Sequence, residues 1–387
     1  MDQKREKEVF LKLAFCLFKY FPYGGLQRDL IHIAEACRKR GHSIHVFAMS
    51  WEGDVPQGFE VTLMPVRGWT NHRRCYNFAE KVTKYLKKDS HDFVIGFNKM
   101  KGLDAYYAAD SCYQARSKEE KNFLYRLGGR YKTYAGLEKA VFEPSSNTSI
   151  LLISAKEKAK YIRYYGTADD RFHELPPGIP RDRVISDDAG EIRKSTRSEL
   201  GIKDDGILLL MVASSFKTKG LDRALLALAG LPESLRQQTK LVVIGHGKPK
   251  PFESIAKRLN IAGSLVFLGG RDDVPRFMKA SDLLVHPAYS ENAGTVLIEA
   301  MAAGLPVLAT DICGYALHIL NAGAGLLIPS PYKQTTFNAL LRQMITSPER
   351  ETWKSMGIDY VNRNDFFSRP EKAADIIESL AAKGGLL

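Results

Sequence analysis

The stretch His286–Gly314, HPAYSENAGTVLIEAMAAGLPVLATDICG, follows the apolar run Leu283–His286, and its reading decides the fold. A strand is expected to end at His286, a turn bearing Glu291 follows, Gly294 opens a helix, and Glu299 lies inside that helix. Seven residues separate the two glutamates. Small residues then let helix and sheet approach closely, and Gly304, Leu305, Pro306 and Val307 lead into a further strand. Strand, loop, helix and strand in that order form a parallel-sheet unit, and such sheets bind ligands outside the carboxyl ends of their strands. Glu291 is therefore expected at a strand end, beside a helix N-terminus that offers unpaired N–H groups to an anion. On spacing alone, two such glutamates read more simply as solvated surface positions, so the rest of the chain must decide.

Outward from this segment the same alternation recurs in two runs, as in doubly wound α/β domains. The first run has strands expected at Leu13–Phe18, Ser43–Ala48, Phe93–Phe97, Ala105–Ala109 and Leu151–Ser154, with a helix from Leu26 to Arg40 closed by Gly41. The second has Ile207–Ala213, Leu241–Gly245, Leu265–Leu268, Leu283–His286 and Val307–Thr310. Between the runs, Leu175, Pro176, Pro177, Gly178 and Ile179 place fixed prolines beside a permissive glycine and mark a hinge. A chain of 387 residues exceeds one ordinary core, so two domains are expected.

Composition narrows the class. With 44% hydrophobic residues the chain is globular. No apolar run approaches the roughly 18 residues of a spanning helix. The N-terminal MDQKREKEV is charged, and Lys12 and Lys19 interrupt the apolar stretch behind it, unlike a secretory signal; a cytoplasmic location is expected. Five cysteines (Cys16, Cys37, Cys75, Cys112, Cys313) without close pairs suit reduced thiols in packing roles. A net charge of +12 suits nucleic acid, an anionic membrane or an acidic substrate, and does not choose among them.

The distribution of charge says more. Between Tyr113 and Phe142 lie seven basic residues (Arg116, Lys118, Lys121, Arg126, Arg130, Lys132, Lys139) against three acids. Aromatic residues interleave with them, and Phe123, Leu127, Tyr131 and Tyr134 recur at helical spacing. A basic amphipathic helix of this kind can lie in a bilayer interface, each basic residue near an anionic surface contributing about 1 kcal/mol. Gly128 and Gly129 weaken the helix, and an ordinary half-buried helix remains the alternative.

The segments AFCLFKYFPYGGLQRDL (14–30), SWEGDVP (50–56), GFNKMKGLD (96–104), AADSCY (108–113), LPPGI (175–179) and SENAGTVLIEA (290–300), together with the glutamate pair, resemble the retaining glycosyltransferases of family four. Within them the similarity is to the lipopolysaccharide core heptose glucosyltransferases, from about residue 12 to about residue 380. The resemblance implies a GT-B fold: two Rossmann-like doubly wound parallel-sheet domains facing each other across an active cleft. Residues 1–177 would form the acceptor-binding domain, with a C-terminal helix (366–387) packing back on it. Residues 178–365 would form the nucleotide-sugar-binding domain. The implied reaction transfers glucose from UDP-glucose to heptose of the inner core, with no cofactor and no metal, by a monomer peripherally bound to the anionic inner face of the inner membrane. Nucleic acid is not an expected partner.

Site residues follow from the chemistry and from the family. A leaving diphosphate needs cations and backbone donors. Lys219 in SSFKTKGLDRA and Arg183 beyond the hinge are the candidates, and Gly24 and Gly25 would let backbone reach the phosphates. The family places a second cation just before the lysine, whereas Thr218 stands here; Lys217 is a candidate substitute. In similar enzymes the first glutamate contacts the donor sugar and the second the ribose, roles that carry to Glu291 and Glu299, with backbone donors from Asn292, Ala293, Gly294 and Thr295. Asp110 stands where many relatives have a histidine, and reads either as an acceptor-orienting catalytic carboxylate or as a helix cap. Asp29 and Lys99 are further acceptor-side candidates. The implied membrane contact comprises Lys121, Phe123, Tyr125, Arg126, Arg130, Tyr131 and Lys132.

Two other classes fit the pattern less well. A dinucleotide oxidoreductase would need the spaced GxGxxG fingerprint, which the first strand–helix turn lacks. A non-catalytic basic membrane- or nucleic-acid-binding protein would show a broad basic surface without an ordered set of site motifs.

Overall fold

The computed structural model describes residues 10–203 and 205–384. The MDQKREKEV stretch and the last three residues of the expected C-terminal helix lie outside the described residues. The chain divides into two compact units, one running up to Pro176 and resuming at Ser368, the other running from Pro177 to Phe367.

Among the described residues, unit 1 holds a seven-stranded sheet. Its strands are β1 (Lys12–Tyr20), β2 (Ser43–Trp51), β3 (Phe59–Leu63), β4 (Phe93–Gly96), β5 (Ala105–Ala108), β6 (Ser149–Leu152) and β7 (Phe172–Glu174), in the order β3-β2-β1-β4-β5-β6-β7. Unit 2 holds β8 (Ile207–Val212), β9 (Thr239–Ile244), β10 (Leu265–Gly269), β11 (Leu283–His286), β12 (Val307–Thr310) and β13 (Gly325–Ile328), in the order β10-β9-β8-β11-β12-β13. Every pairing is parallel. Parallel neighbours need crossover connections, and helices on both faces bury the central strands, which explains their unbroken apolar runs.

Three further strands, β3, β7 and β13, were not among those expected. Each is an edge strand of its sheet; β7 spans only three residues, and in β3 only Phe59 is buried. The strand expected at Leu151–Ser154 begins at Ser149, and Ser154 instead stands at the N-cap position of the next helix. The five cysteines are buried and none is disulfide-bonded.

In each sheet the chain winds outward from a central strand and then returns to that strand's other side. The reversal falls between β1 and β4 in unit 1 and between β8 and β11 in unit 2. At such a switch point the two loops leave in opposite directions and open a crevice at the carboxyl ends.

Unit 1 is completed by the helix Arg369–Lys383, which packs on α1 (Gly25–Lys39). Arg40 Nη1 lies 2.9 Å from Glu378 and 2.7 Å from Asp375, and His42 Nε2 lies 2.9 Å from Glu378. Deeper in, Arg369 is only 1% exposed. It donates to the Pro176 carbonyl at 2.8 Å and to the Tyr107 hydroxyl at 3.2 Å, and approaches Asp29 Oδ2 at 3.4 Å.

Candidate active site

In unit 2 the loops leaving β8 and β11 meet at Glu291. Lys219 Nζ lies 2.5 Å and His286 Nε2 3.0 Å from the same carboxylate oxygen, Oε2. Sequence chemistry makes this approach possible at Gly220, whose φ is +80° and where a Cβ would stand 2.0 Å from the Pro287 carbonyl oxygen. The Tyr289 N–H donates to the Thr218 carbonyl at 2.8 Å, fastening the loops together. Arg223 donates to the Pro287 and Ala288 carbonyls at 3.1 and 3.0 Å, its guanidinium 3.6 Å from the ring centroids of both Tyr289 and Tyr332. Burial works against a charged Glu291, but the His286 hydrogen bond and the Lys219 charge outweigh it and hold its pKa at about 2.

Glu299 lies in the helix Thr295–Ala302, which starts after Gly294 at φ +86°. It is buried, and Arg183 Nε stands 3.9 Å from its Oε1. Arg183, in the short 3₁₀ turn Arg181–Arg183, is buried as well, and among the described residues its Nε and Nη1 have no hydrogen-bond partner. Its other carboxylate neighbour, Asp182, is 3.7 Å away, also beyond bonding distance. Leaving charged hydrogen bonds of a buried guanidinium unmade is costly. Asn292 and Ala293 are buried in the turn between the glutamates, where the Ala293 carbonyl accepts from the Tyr315 N–H. Lys217, the candidate substitute cation, is 69% exposed and is paired with Asp222 at 2.6 Å, away from Glu291.

In unit 1, Gly24 is the N-cap of α1 and Gly25 its first residue. A Cβ at Gly25 would meet nothing within 4 Å, whereas one at Gly24 would strike the Gln27 side chain. Asp110 is exposed just past the end of β5. It does not cap the following helix, α2 (Tyr113–Glu119), whose N-cap is Cys112, with Sγ accepting from the Ala115 N–H.

The other two acceptor-side candidates are placed differently from the sequence reading. Lys99 Nζ is committed to Glu138 at 2.5 Å and to the Ser111 carbonyl at 3.0 Å. Asp29 accepts from the Tyr107 hydroxyl at 2.7 Å and faces Arg369, so it anchors the C-terminal helix. Both are charges at strand or helix ends that the fold uses internally.

The basic aromatic segment also departs from expectation. In place of one amphipathic helix, the chain breaks at Gly128 into α3 (Phe123–Leu127) and α4 (Gly129–Phe142). Phe123, Leu124 and Leu127 are 64, 72 and 54% exposed. Tyr131 instead turns back to donate to Gln114 at 2.6 Å, Tyr125 meets the Tyr113 hydroxyl at 2.8 Å, and Tyr134 packs on the unit 1 core. Lys121, Arg130 and Lys132 are exposed as well, and Arg126 lies over Phe123. Among the described residues no helix is long and apolar enough to cross a membrane.

Among the described residues, one group of side chains is close enough to share a metal ion: His45, Asp89 and His91, in unit 1. Each already has a protein partner, His45 Nδ1 with His91 Nε2 at 2.9 Å and Asp89 with Lys12 at 2.8 Å.

The comparison with known proteins covers nearly the whole chain. It is 48% identical over 366 residues to the lipopolysaccharide glucosyltransferase WaaG of Escherichia coli (strain K12), a match spanning 94% of this chain and 98% of the relative. The chain belongs to the WaaG family of lipopolysaccharide glycosyltransferases. The WaaG-family assignment is matched in three dimensions by the crystal structure of WaaG, a glycosyltransferase involved in lipopolysaccharide biosynthesis. The TM-score is 0.93 at 47% identity, covering 94% of this chain and 99% of that one. Profiles described as Glycosyltransferase Family 4 and Glycosyl transferases group 1 match residues 23–183 and 192–358. Anabaena Alr3699/HepE in complex with UDP-glucose shares the GT-B fold at a TM-score of 0.73 and 18% identity, covering 97% of this chain and all of that one. The oxidoreductase and non-catalytic readings are thereby set aside.

For this WaaG-family glycosyltransferase, the sequence reading missed His286 and Leu124. His286 was in view as the last residue of a strand at the switch point, a position that signals a role. Leu124 fell outside the assumed helical stripe.

Proposed function

We propose that this glycosyltransferase transfers glucose from UDP-glucose to a heptose of the lipopolysaccharide inner core with retention of configuration. The observation that carries the donor half is the buried guanidinium of Arg183, with Nε and Nη1 unpartnered, in the same unit as the Lys219–Glu291 pair. Lys219 and Arg183 supply the positive charge that a departing diphosphate requires, and supply it in a pre-organised form. Both donors to Glu291 fall on Oε2. Oε1 is then the oxygen that accepts a sugar hydroxyl, and a carboxylate kept ionised accepts strongly. Glu299 takes the ribose.

In the reaction the bond between the glucose anomeric carbon and the diphosphate oxygen breaks. The acceptor hydroxyl oxygen bonds to that carbon on the same face, and its proton passes to the leaving diphosphate. Asp110 orients the acceptor. Phe123, Leu124 and Leu127, with the exposed Lys121, Arg130 and Lys132 of the same segment, dock the enzyme as a monomer on the anionic cytoplasmic face of the inner membrane, where the lipid-linked acceptor resides.

The deciding experiment compares UDP-glucose, UDP-galactose and UDP-N-acetylglucosamine as donors to a truncated lipopolysaccharide ending in heptose, for wild type and Glu291→Ala. Selective transfer from UDP-glucose, lost in the variant, is expected. Transfer from another donor would overturn the assigned sugar, and transfer surviving in Glu291→Ala would overturn the site.

A further inference from the structure

Glu138 is the one fully buried acid in the basic segment between β5 and β6, and the reaction outlined above gives it no task. It projects from α4 beneath the turn that follows β5. Its carboxylate accepts from the Tyr113 N–H at 2.7 Å, the Gln114 N–H at 2.8 Å, Lys99 Nζ at 2.5 Å and the Tyr165 hydroxyl at 2.8 Å. Lys99 in turn donates to the Ser111 carbonyl at 3.0 Å.

Two residues of α5 (Ala155–Tyr165) complete the pattern. The Tyr161 hydroxyl donates to the Asp110 carbonyl at 2.8 Å, and Glu157 accepts from the Cys112 N–H at 2.7 Å. Each of the five consecutive residues 110–114 is thus fixed through a backbone group by one of four buried or half-buried side chains. Simple packing of a loop does not call for this. Burying a carboxylate and an ammonium together costs more than an apolar pair of the same volume unless their remaining bonds are made, and here those bonds all converge on one turn. Burial opposes charge on Glu138, yet Lys99 and the backbone donors hold its pKa below the ordinary value, so the cradle is ionised at neutral pH.

We infer that Glu138, acting with Lys99, is a positioning residue that fixes the Asp110 carboxylate for the acceptor. The inference rests on the reading of Asp110 as the acceptor-orienting group. A displacement of about 1 Å at such a group costs about 100-fold in rate, which is the scale on which a five-residue clamp matters.

The test uses the full chain with UDP-glucose and heptose-terminated lipopolysaccharide, measuring transfer and, separately, hydrolysis of UDP-glucose by water. Glu138→Gln is expected to lower the kcat of transfer about 100-fold while leaving the donor KM unchanged. In an Asp110→Ala background the same change is expected to add less than about twofold, since independent sites would multiply and coupled ones do not. If Glu138→Gln alone does not fold, Lys99→Met with Glu138→Gln removes the charge pair without stranding either ion, and the cycle is run with it. A full loss repeated in the Asp110→Ala background, or donor hydrolysis falling as far as transfer, would assign Glu138 a merely structural role. Undiminished transfer in Glu138→Gln would also overturn the inference. Undiminished transfer in Asp110→Ala would overturn the role of Asp110 and, with it, this positioning.

Discussion

Lys219 Nζ lies 2.5 Å from Glu291 Oε2, joining residues 72 apart in sequence across the loops of neighbouring strands β8 and β11. The pair therefore reports at once on the electrostatics of the site and on the switch-point geometry that creates it, and both can be measured.

Acid titration reads the electrostatics. The folded pKa of Glu291, about 2, lies below its ordinary 4.5. A depressed folded pKa contributes stability that is fully present above pH 4.5 and is lost as pH falls from there through about 2. Its size is on the order of 3 kcal/mol. Chemical unfolding of wild type and Glu291→Gln across that window should show a steeper acid loss in wild type; equal slopes would mean that the pairing does not exist in solution.

Arg183→Met should separate binding from stability. With two buried N–H groups lacking partners, the native arginine is a liability in the ligand-free protein. The gain from removing it is offset because buried Glu299 loses the cation beside it, so the net change in stability is expected to stay within about 1 kcal/mol. Its affinity for UDP should fall by about 2 kcal/mol or more, seen by calorimetry. A destabilised variant that binds UDP normally would show the residue to be structural.

Gly220→Ala places a Cβ into the Pro287 carbonyl at a left-handed φ, whereas at Gly294 the nearest atoms, 3.2 Å away, belong to side chains. Both substitutions strain the backbone by about 1–2 kcal/mol, but only the first must also push the two loops apart. Gly220→Ala should therefore lower Tm further and weaken UDP binding more than Gly294→Ala, an order that thermal melts with and without UDP can reverse.

Removing the buried cation in Arg369→Met leaves Asp29 facing an apolar neighbour. The expected loss in urea unfolding is about 3 kcal/mol. A change below about 0.5 kcal/mol, the range of ordinary surface substitutions, would remove the anchoring role.

The exposed trio makes the opposite prediction. Phe123→Ser, Leu124→Ser and Leu127→Ser together should shift stability by no more than about 0.5 kcal/mol each, since these side chains already face solvent. Sedimentation with phosphatidylglycerol vesicles should nevertheless fall sharply. Undiminished vesicle binding would move the docking surface elsewhere.

Much of this was legible in sequence for a simple reason. Central parallel strands are apolar on both faces, so β1, β8, β11 and β12 announce themselves as runs, and the loops at their ends inherit the ligand-facing positions. The edge strand β3 (Phe59–Leu63) carries no such run, because Glu60 and Thr62 interrupt it. The internal pairings of Lys99 and Asp29 were not legible because a charged residue looks the same in sequence whether it faces solvent or a buried partner. Their partners, Glu138 and Arg369, stand 39 and 340 residues away, beyond any periodicity. The helix through Gly128 failed because the stripe was counted across a residue whose extended backbone resets the phase.

The return of the chain to unit 1 at Ser368 has a bearing on biogenesis. Unit 2 is one uninterrupted stretch and has all its sequence once the ribosome has passed Phe367. Unit 1 begins first but cannot close, because Arg369 and its helix are made only after everything that separates them from Asp29. During synthesis, then, unit 2 has its full sequence before unit 1 does. A polypeptide cut short before residue 369 would carry a complete unit 2 joined to a unit 1 whose α1 face, normally covered by the helix Arg369–Lys383, is left open to proteases.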